Sequence, residues 1–401
     1  MRDGRTKKLQ MLGVEDVRDT NEMRFLHLIR NHQPISRAEL VKATGLRAGT
    51  VSVVINRMLR AGFILEGEEA PSSGGRRATY LEVNAEKAYA LAISIGVRQT
   101  AYAVSDFKGR ILTQRAIPTE SEPESFLNLL SQDIEGHLQT HYGQRRPEAV
   151  GVSIPGLVDR DEGRVVVSPN LGWGDTPVRR MLEQQLALPV FIENDANAAA
   201  LSELWYGRFD ALSGHSLVFV LVVEGVGTGV ILNGELHVGT RIGLGGFGHM
   251  QLDPHGPRCS CGNAGCWEAM ASDDATVGRF LKSRPERSGT VPSVHDVIAL
   301  AHAGDPDARQ ALLETASCLG QGMRGLAQGL APEVIVVGGE ITRLWNLIEP
   351  VLDREIQSGY LIPGVSRPQV RRASVDQPSL LGAISIALRG ILKRRKRLAI
   401  A

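Results

Sequence analysis

Three of the chain's four cysteines, Cys259, Cys261 and Cys266, fall within eight residues of one another. Three thiolates and one imidazole would complete a closed, tetrahedral zinc site of the structural kind, which needs no open position for water. His249 is the candidate fourth ligand, and His255, four residues before Cys259, is its rival. The alternative is three buried or disulfide-bonded thiols, but an odd trio leaves one thiol over. We therefore predict structural Zn²⁺ held by His249 and the three cysteines.

The run from Gly248 to Glu268 contains Gly-His and, after nine intervening residues, Cys-x-Cys-Gly-x-x-Gly-Cys-x-Glu. This pattern resembles the zinc-and-sugar signature of the ROK family (repressors, open reading frames and sugar kinases). The resemblance implies that His249 also faces a sugar and that Glu268 contacts a sugar hydroxyl. A zinc-bound imidazole suits that role because its second ring nitrogen is fixed in direction and free to donate a hydrogen bond.

A second motif, Glu193-Asn194-Asp195-Ala-Asn197, resembles the sugar-binding core of the same family. The resemblance implies that Asn194 binds sugar hydroxyls and that Asp195 occupies the position of the kinases' general base. Segments 153–159 and 168–173 resemble the family's sugar-lobe loops, and the second of them contains Asn170. The alternative for Asn194 is a turn in which its side chain caps the next helix. The predicted sugar site comprises Asn170, Asn194, Asp195, His249 and Glu268.

The nucleotide side departs from the family's kinases, which begin the body with Asp-x-Gly-Gly-Thr. This chain has Ser94-Ile-Gly-Val-Arg98 there, and Val223-Glu224-Gly225 replaces the second phosphate loop, Gly-Thr-Gly. Phosphoryl transfer depends on positioning and charge neutralisation, so we predict no kinase activity and a vestigial role for Asp195. The alternative is an ATP-dependent sugar kinase with an appended DNA-binding module. A third possibility is a docking protein that another protein sequesters.

Gly246 marks a further departure, because the family's Glu-x-Gly-His run here reads Gly246-Phe-Gly-His249. One charged acceptor for a sugar hydroxyl is therefore lost. Two hypotheses follow: the sugar site is weakened or lost, or it takes a ligand that is larger, anionic or lacking that hydroxyl.

The first eighty residues have the spacing of a helix–turn–helix. Apolar residues predict a helix over 23–31, and Ser36-Arg-Ala-Glu39 is a capping box that opens a second helix. Gly45 stops that helix, and a third helix is predicted over 48–61. Two strand-like segments, 63–66 and 78–83, flank a glycine-rich loop and predict a wing.

The third helix presents small and polar residues near its start and arginines near its end, which is typical of a helix that enters the major groove. Val53 would touch a thymine methyl there, or would be a single exposed valine on an ordinary surface helix. Arginines of the wing would enter the minor groove, unless the wing is only a solvated loop or the domain docks a protein. The predicted DNA-binding residues are Arg47, Thr50, Ser52, Val53, Asn56, Arg57, Arg76 and Arg77. This segment also resembles the winged helix–turn–helix of ROK repressors, although Arg47 stands where those proteins often have a serine cap.

Strands and helices alternate in two similar halves after residue 88, which predicts an α/β fold with a cleft between two lobes. The resemblance implies the two-lobed actin-like fold of sugar kinases. The predicted divisions are a winged helix–turn–helix at 1–84, a first lobe at 85–200, and a second lobe at 201–401 with the zinc loop and a C-terminal helix.

Charge is unevenly placed along the chain. Residues 1–84 carry 14 lysines and arginines against 10 acidic residues, whereas the remainder carries 31 against 34. This asymmetry favours a nucleic-acid-binding first domain. No apolar run approaches the ~18 residues of a membrane span, and the start lacks the apolar core of a signal peptide. We therefore expect a sugar-responsive repressor in a reducing cytoplasm, binding double-stranded operator DNA as a homodimer or homotetramer.

Overall fold

The computed structural model describes residues 14–69, 78–143, 145–207, 216–239, 246–284, 291–358 and 367–400. Its contacts divide the chain into two compact units. One comprises Met1–Lys87 with Leu392–Ala401, and the other comprises Ala88–Ile391.

The first unit is a winged helix–turn–helix, as predicted. Its elements are α1 (Val14–His32), β1 (Ile35–Ser36), α2 (Arg37–Thr44), α3 (Ala48–Arg60), β2 (Ile64–Glu69) and β3 (Thr79–Val83). Ser36 and Glu39 form the predicted reciprocal capping box at the start of α2. Gly45 ends α2 in the left-handed region at φ 65°, where glycine carries no steric penalty. The strands form one antiparallel sheet in the order β1-β3-β2.

Helix α3 packs an apolar face into the unit, because Val51, Ile55 and Met58 are all buried. Arg47 precedes its first turn and makes no side-chain capping bond, as its residue type predicts. The first helix differs from the prediction, since α1 begins nine residues earlier than residue 23.

The first half of the second unit alternates strands and helices around one five-stranded sheet. Its elements are β4 (Tyr89–Ile95), β5 (Gln99–Asp106), β6 (Ile111–Pro118), α4 (Pro123–His141), β7 (Ala149–Ile154), β8 (Leu157–Asp159), β9 (Arg164–Ser168), β10 (Trp173–Thr176), α5 (Val178–Leu186), β11 (Val190–Asn194) and α6 (Asp195–Tyr206).

The second half is built around another five-stranded sheet. Its elements are β12 (Leu217–Val222), β13 (Val226–Leu232), β14 (Glu235–His237), α7 (Trp267–Ala271), α8 (Asp273–Lys282), α9 (Val294–His302), α10 (Pro306–Leu330), β15 (Val334–Gly338), α11 (Trp345–Gln357), β16 (Gln369–Arg372) and α12 (Pro378–Ile400). The residues of α12 from Leu392 onward belong to the first unit.

The two sheets share one topology. Their strand orders are β11-β7-β4-β5-β6 and β14-β13-β12-β15-β16. In each sheet the first three strands in sequence pair antiparallel, and the last two add in parallel on the other side of the first. The prediction of two similar α/β halves is therefore confirmed.

Segments 153–159 and 168–173 were expected to be loops, and this was wrong in part. Strands β8, β9 and β10 form a small antiparallel sheet from this stretch. The strands are only three to five residues long, so their apolar alternation is too short to separate from that of a loop.

The two halves of this unit pack closely where α6 lies against β13. A Cβ atom on Gly227 would lie 2.7 Å from the Ala196 Cβ, and one on Gly229 would lie 2.4 Å from the Ala196 carbonyl oxygen. Only glycine permits this approach of strand to helix. The contact fixes the first turn of α6 beside the turn that connects β12 to β13.

None of the helices in the described part of the chain is long and apolar enough to cross a membrane.

We expect Gly229→Ala to lower the free energy of unfolding by roughly 1–3 kcal/mol, because the added methyl group has no room. The matched control is Gly136→Ala on the exposed face of α4, where nothing lies within 4 Å of the added atom. That variant should gain about 0.5–1 kcal/mol from helix propensity. Chemical denaturation measures both, and an unaltered midpoint for Gly229→Ala would contradict the proposed packing constraint.

Candidate functional site

A cavity of about 540 Å³ opens between the two halves of the second unit. This volume is typical of small-molecule sites. The structure brings all five predicted sugar-binding residues to its wall: Asn170, Asn194, Asp195, His249 and Glu268. They come from segments that are separate in sequence. Asn194 ends β11, Asp195 begins α6, and His249 and Glu268 lie on either side of the cysteine-rich loop.

Asn194 caps α6, which is the alternative role considered from its sequence. Its Oδ1 accepts hydrogen bonds from the backbone N–H groups of Ala196 and Asn197 at 2.9 and 3.1 Å. Its Nδ2 donates to the Gly156 carbonyl at 3.0 Å. Capping therefore fixes the side chain at the cavity wall. The predicted contact with a sugar stays a prediction beside that structural role.

Asp195 is the first residue of α6, and its Oδ1 accepts a hydrogen bond from the Ala196 N–H at 2.9 Å. Desolvation raises the pKa of this carboxyl group to about 6, and the charges of Glu224 and Glu268 add to the effect. Hydrogen bonds from the backbone oppose the shift without cancelling it.

Glu193 is a buried carboxylate that the sequence analysis did not assign a role. It is 4% exposed and pairs with Arg160 at 3.0 Å. Its Oε1 accepts hydrogen bonds from the Asn194 backbone and the Asn197 side chain, each at 3.0 Å. Glu193 thus orients the turn that carries the cavity residues. Its position directly before the Asn-Asp pair, at the end of a buried strand, was the available signal.

The cysteine-rich loop gathers four metal-ligating side chains. The ligand atoms of His249, Cys259, Cys261 and Cys266 all lie within 4.8 Å of one another. Cys259 Sγ lies 3.6 Å from His249 Nδ1, and Cys261 Sγ lies 3.7 Å from Cys266 Sγ. Tetrahedral Zn²⁺ with bonds of about 2.3 Å to sulfur places two sulfurs roughly 3.7 Å apart. The donor set and its spacing therefore fit a structural zinc ion, and the rival His255 lies outside the group.

Tight backbone turns shape this loop. Gly262 and Gly265 have φ angles of 93° and 65°, and a Cβ on Gly265 would lie 1.5 Å from the Asp253 carbonyl oxygen. Burial and the neighbouring thiols raise the pKa of Cys266 to about 12. The Cys259 and Cys266 thiols therefore resist ionisation, whereas the backbone N–H of Asn263 lowers the pKa of Cys261. A divalent metal favours the thiolate form of all three.

Glu268 links the cysteine-rich loop to the cavity. One carboxylate oxygen accepts from the Ser260 hydroxyl at 3.3 Å, and the other accepts from the Val226 backbone N–H at 3.3 Å. A Cβ on Gly225 would lie 2.5 Å from this second oxygen and 3.0 Å from the Asn170 Nδ2. Glycine at 225 therefore leaves room for these two side chains to converge.

Gly246 also lines the cavity, and a Cβ placed on it meets no described atom within 4 Å. Both hypotheses for the missing carboxylate, a weakened site or a changed ligand, stay open on this observation alone.

The end of the cavity near the β12–β13 turn carries a charged cluster from both halves. Arg98 pairs with Glu224 at 3.3 Å and with Asp274 at 2.9 Å. Asp273 lies next to this cluster, and burial raises its pKa to about 8, with Glu224, Glu340 and Asp274 adding to the shift. Arg98 and Glu224, which the resemblance aligns with the two phosphate loops of the family's kinases, thus contact each other.

Six of the eight predicted DNA-binding residues lie on or just before α3. Arg47, Thr50, Val53 and Asn56 are exposed and Ser52 is half-buried, with Val53 exposed by 63%. Arg57 forms an ion pair with Glu22, whose carboxylate is buried. Arg76 and Arg77 lie outside the described residues. All eight assignments stay predictions, and the Arg57 pair is a second role that its helical position did not indicate.

We expect that removing the metal with a chelator, or Cys259→Ser, lowers the melting temperature by several degrees and abolishes ligand-dependent stabilisation. The physical reason is that the segment 253–264, which precedes α7 and Glu268, has Cys259 as its one buried residue and so has little apolar core of its own. Cys318→Ser is the matched control, because it removes a thiol outside the cluster. Metal analysis of native protein should give close to one zinc per chain, and less than about half an equivalent would contradict the assignment.

We expect Asp195→Asn to stabilise the protein at pH 8 by at most about 3 kcal/mol, since one pKa unit corresponds to ~1.4 kcal/mol. The folded-state pKa of Asp195 lies near 6, above its usual 3.8. The cost of ionising it is therefore absent below about pH 4 and develops as the pH rises through about 6. The gain should vanish at pH 4, as measured by denaturation at both pH values. Asp161→Asn, at an exposed site, is the control, and an equal gain at both pH values would refute the burial argument.

Comparison with known sequences gives two family matches. The ROK family matches residues 90–389, and the MarR family matches residues 16–78. The xylose repressor of Bacillus spizizenii is 32% identical over 379 residues, covering 93% of this chain and 94% of that protein. The N-acetylglucosamine repressor of Escherichia coli O157:H7 is 26% identical, with 96% of each chain covered.

Two solved structures agree with the fold. A ROK family transcriptional regulator, described as a homologue of the E. coli MLC protein, superposes with a TM-score of 0.76 at 24% identity and covers 94% of this chain and 98% of its own. A ROK family glucokinase from Streptomyces griseus, in complex with glucose and AMPPNP, has a TM-score of 0.67 at 29% identity and covers 75% and 99%. The resemblance inferred from the zinc and Asn-Asp motifs is confirmed, and this chain belongs to the ROK family.

Proposed function

We propose that this protein is a sugar-responsive transcriptional repressor, whose winged helix binds operator DNA and whose two-lobed body senses a sugar. The observation that carries this proposal is the convergence of Asn170, Asn194, Asp195, His249 and Glu268 on one cavity in a chain that also has a winged helix–turn–helix. Relatives named xylose repressor and N-acetylglucosamine repressor, which match along nearly the whole chain, support it.

On the DNA side, α3 enters the major groove with Thr50, Ser52 and Val53 towards the bases. The valine methyls suit a thymine methyl, and the hydroxyls suit polar base edges. Arg47 and Asn56 lie on the same exposed helix and contact backbone or base edges beside them. Arg57 orients α3 through its ion pair with Glu22. The guanidinium N–H groups that do not take part in this pair contact DNA. Arg76 and Arg77 act from the wing. A homodimer or homotetramer would present two such helices to an operator with two half-sites.

On the sugar side, Asp195 accepts a hydrogen bond from a sugar hydroxyl through Oδ2, since Oδ1 is used by the Ala196 N–H. Asn194 offers its remaining N–H, and Glu268 and Asn170 add further polar groups to the cavity wall. His249 would bind zinc through Nδ1, the nitrogen nearest the thiols, and would donate to the sugar through Nε2. The zinc ion supplies structural cohesion to the loop, and three free thiols held as metal ligands suit a reducing cytoplasm.

We propose in addition that the body transfers no phosphate. Glu224 lines the end of the cavity that would hold phosphate, and its partner Arg98 is shared with Asp274, which lies outside the lining. A nucleotide's phosphates require cations and backbone N–H donors, and carboxylates repel them. The ATP-dependent kinase is the competing function, since Asp195 occupies a suitable position for a general base and a glucokinase is among the structural relatives. Sugar-dependent ATP turnover clearly above that of an Asp195→Asn control would favour the kinase.

The decisive experiment is operator footprinting with the zinc-loaded protein, with and without a panel of sugars. We expect a protected, two-fold-related site that one sugar releases, because ligand and DNA must compete through the conformation of one chain. Ser52→Ala and Val53→Ala should change the ranking of mutated operators. Glu162→Gln, at an exposed position of the second unit, should not. Sequence-independent binding that no sugar alters would refute the proposed function.

A further inference from the structure

Four carboxylates line the cavity: Glu193, Asp195, Glu224 and Glu268. Among the described lining residues, Arg160 carries the one permanent positive charge, and it is already paired with Glu193 at 3.0 Å. A zinc ion bound by three thiolates leaves the His249 wall with net negative charge as well. The cavity is therefore anionic on several sides.

Glu224 places a negative charge at the end of the cavity near the β12–β13 turn. Its partner Arg98 is half-exposed and is shared with Asp274, so one cation faces two carboxylates. The charge of Glu224 is also felt across the cavity, because it contributes to the raised pKa values of both Asp195 and Asp273. An anionic substituent on a ligand would meet this carboxylate without a free cation to bind it.

We propose that Glu224 is a specificity-determining residue of the effector cavity, which admits uncharged sugars and excludes their phosphorylated and carboxylated forms. The inference rests on the proposed sugar-sensing function and narrows its ligand class. It also bears on Gly246: the missing carboxylate there leaves room for a larger ligand, but the four remaining carboxylates oppose an anionic one. Sugars of central metabolism exist in both uncharged and phosphorylated forms, so the repressor would respond to sugar before, rather than after, its phosphorylation.

The test is calorimetric titration of the zinc-loaded full chain with matched pairs of ligands: glucose with glucose 6-phosphate, N-acetylglucosamine with its 6-phosphate, and xylose with xylonate. For any pair that binds, we expect the uncharged member to bind at least about tenfold more tightly, as one poorly screened charge repulsion implies. Glu224→Gln removes the charge with little change of shape, so it should reduce that ratio at least about fivefold by improving the charged member.

Asp274→Asn is the matched control, because it also removes a partner of Arg98 but does not line the cavity. It should leave the ratio within about twofold. The wild-type protein gives a second check. Added sodium chloride should reduce the ratio of its affinities for the uncharged and charged ligands, because salt screens the charge of Glu224.

A wild-type protein that prefers the charged member, or a ratio unchanged by both Glu224→Gln and salt, would overturn the inference while leaving sugar sensing intact. An equal effect of Asp274→Asn would assign the selectivity to the Arg98 pair and would overturn the role of Glu224. Absence of binding by every member of the panel, in the wild type and the variants alike, would count against sugar sensing itself and against this inference with it.

Discussion

The close contact between the first turn of α6 and strand β13 is the constraint on which the cavity depends. Gly227 and Gly229 allow the strand to approach Ala196 to a distance that no side chain would permit. Asp195 therefore lies beside the β12–β13 turn, although it belongs to the other half of the unit. On the far side of that turn, Gly248 approaches the Val226 carbonyl so closely that a Cβ would lie 2.0 Å from it. Three segments that are distant in sequence are thus held together by backbone packing.

The charges of the cavity follow from the same packing. Bringing the segments together places several carboxylates near one another, and desolvation makes each of them harder to ionise. The protein stabilises these groups differently: Glu193 has a cation and two N–H donors, whereas Asp195 has backbone donors alone. The result is one carboxyl group that is firmly held and another that is ready to accept a hydrogen bond. A sugar hydroxyl suits the second group, because it supplies a donor without adding charge.

Sequence reasoning predicted the features that local rules control. The capping box at Ser36, the left-handed glycine at 45 and the spacing of the metal-ligating residues each depend on a few neighbouring positions, and the structure has them as expected. The duplicated topology was predictable because long buried strands have a strong apolar signal.

Contacts between distant residues could not be predicted in this way. The pairs Arg57–Glu22 and Arg160–Glu193 join elements whose relative placement is set by tertiary packing. The short strands β8 to β10 lack a pattern long enough to identify, and they form because a neighbouring strand is available for pairing. Asn194 shows that two alternatives drawn from sequence need not exclude each other, since the capping role is observed and the ligand role is compatible with it.

The cap at Asn194 has a consequence for the thermodynamics of ligand binding. Its side chain is immobilised by three hydrogen bonds within the protein, to Ala196, Asn197 and Gly156, before any ligand arrives. Its rotamer entropy is lost during folding rather than during recognition, so ordering this side chain does not weaken the affinity for a ligand. Rigid walls of this kind do not adapt to a ligand through small movements of single side chains. A bound molecule that draws such walls together must move whole helices and strands, which is the kind of displacement that the winged helix–turn–helix unit of the same chain is able to detect.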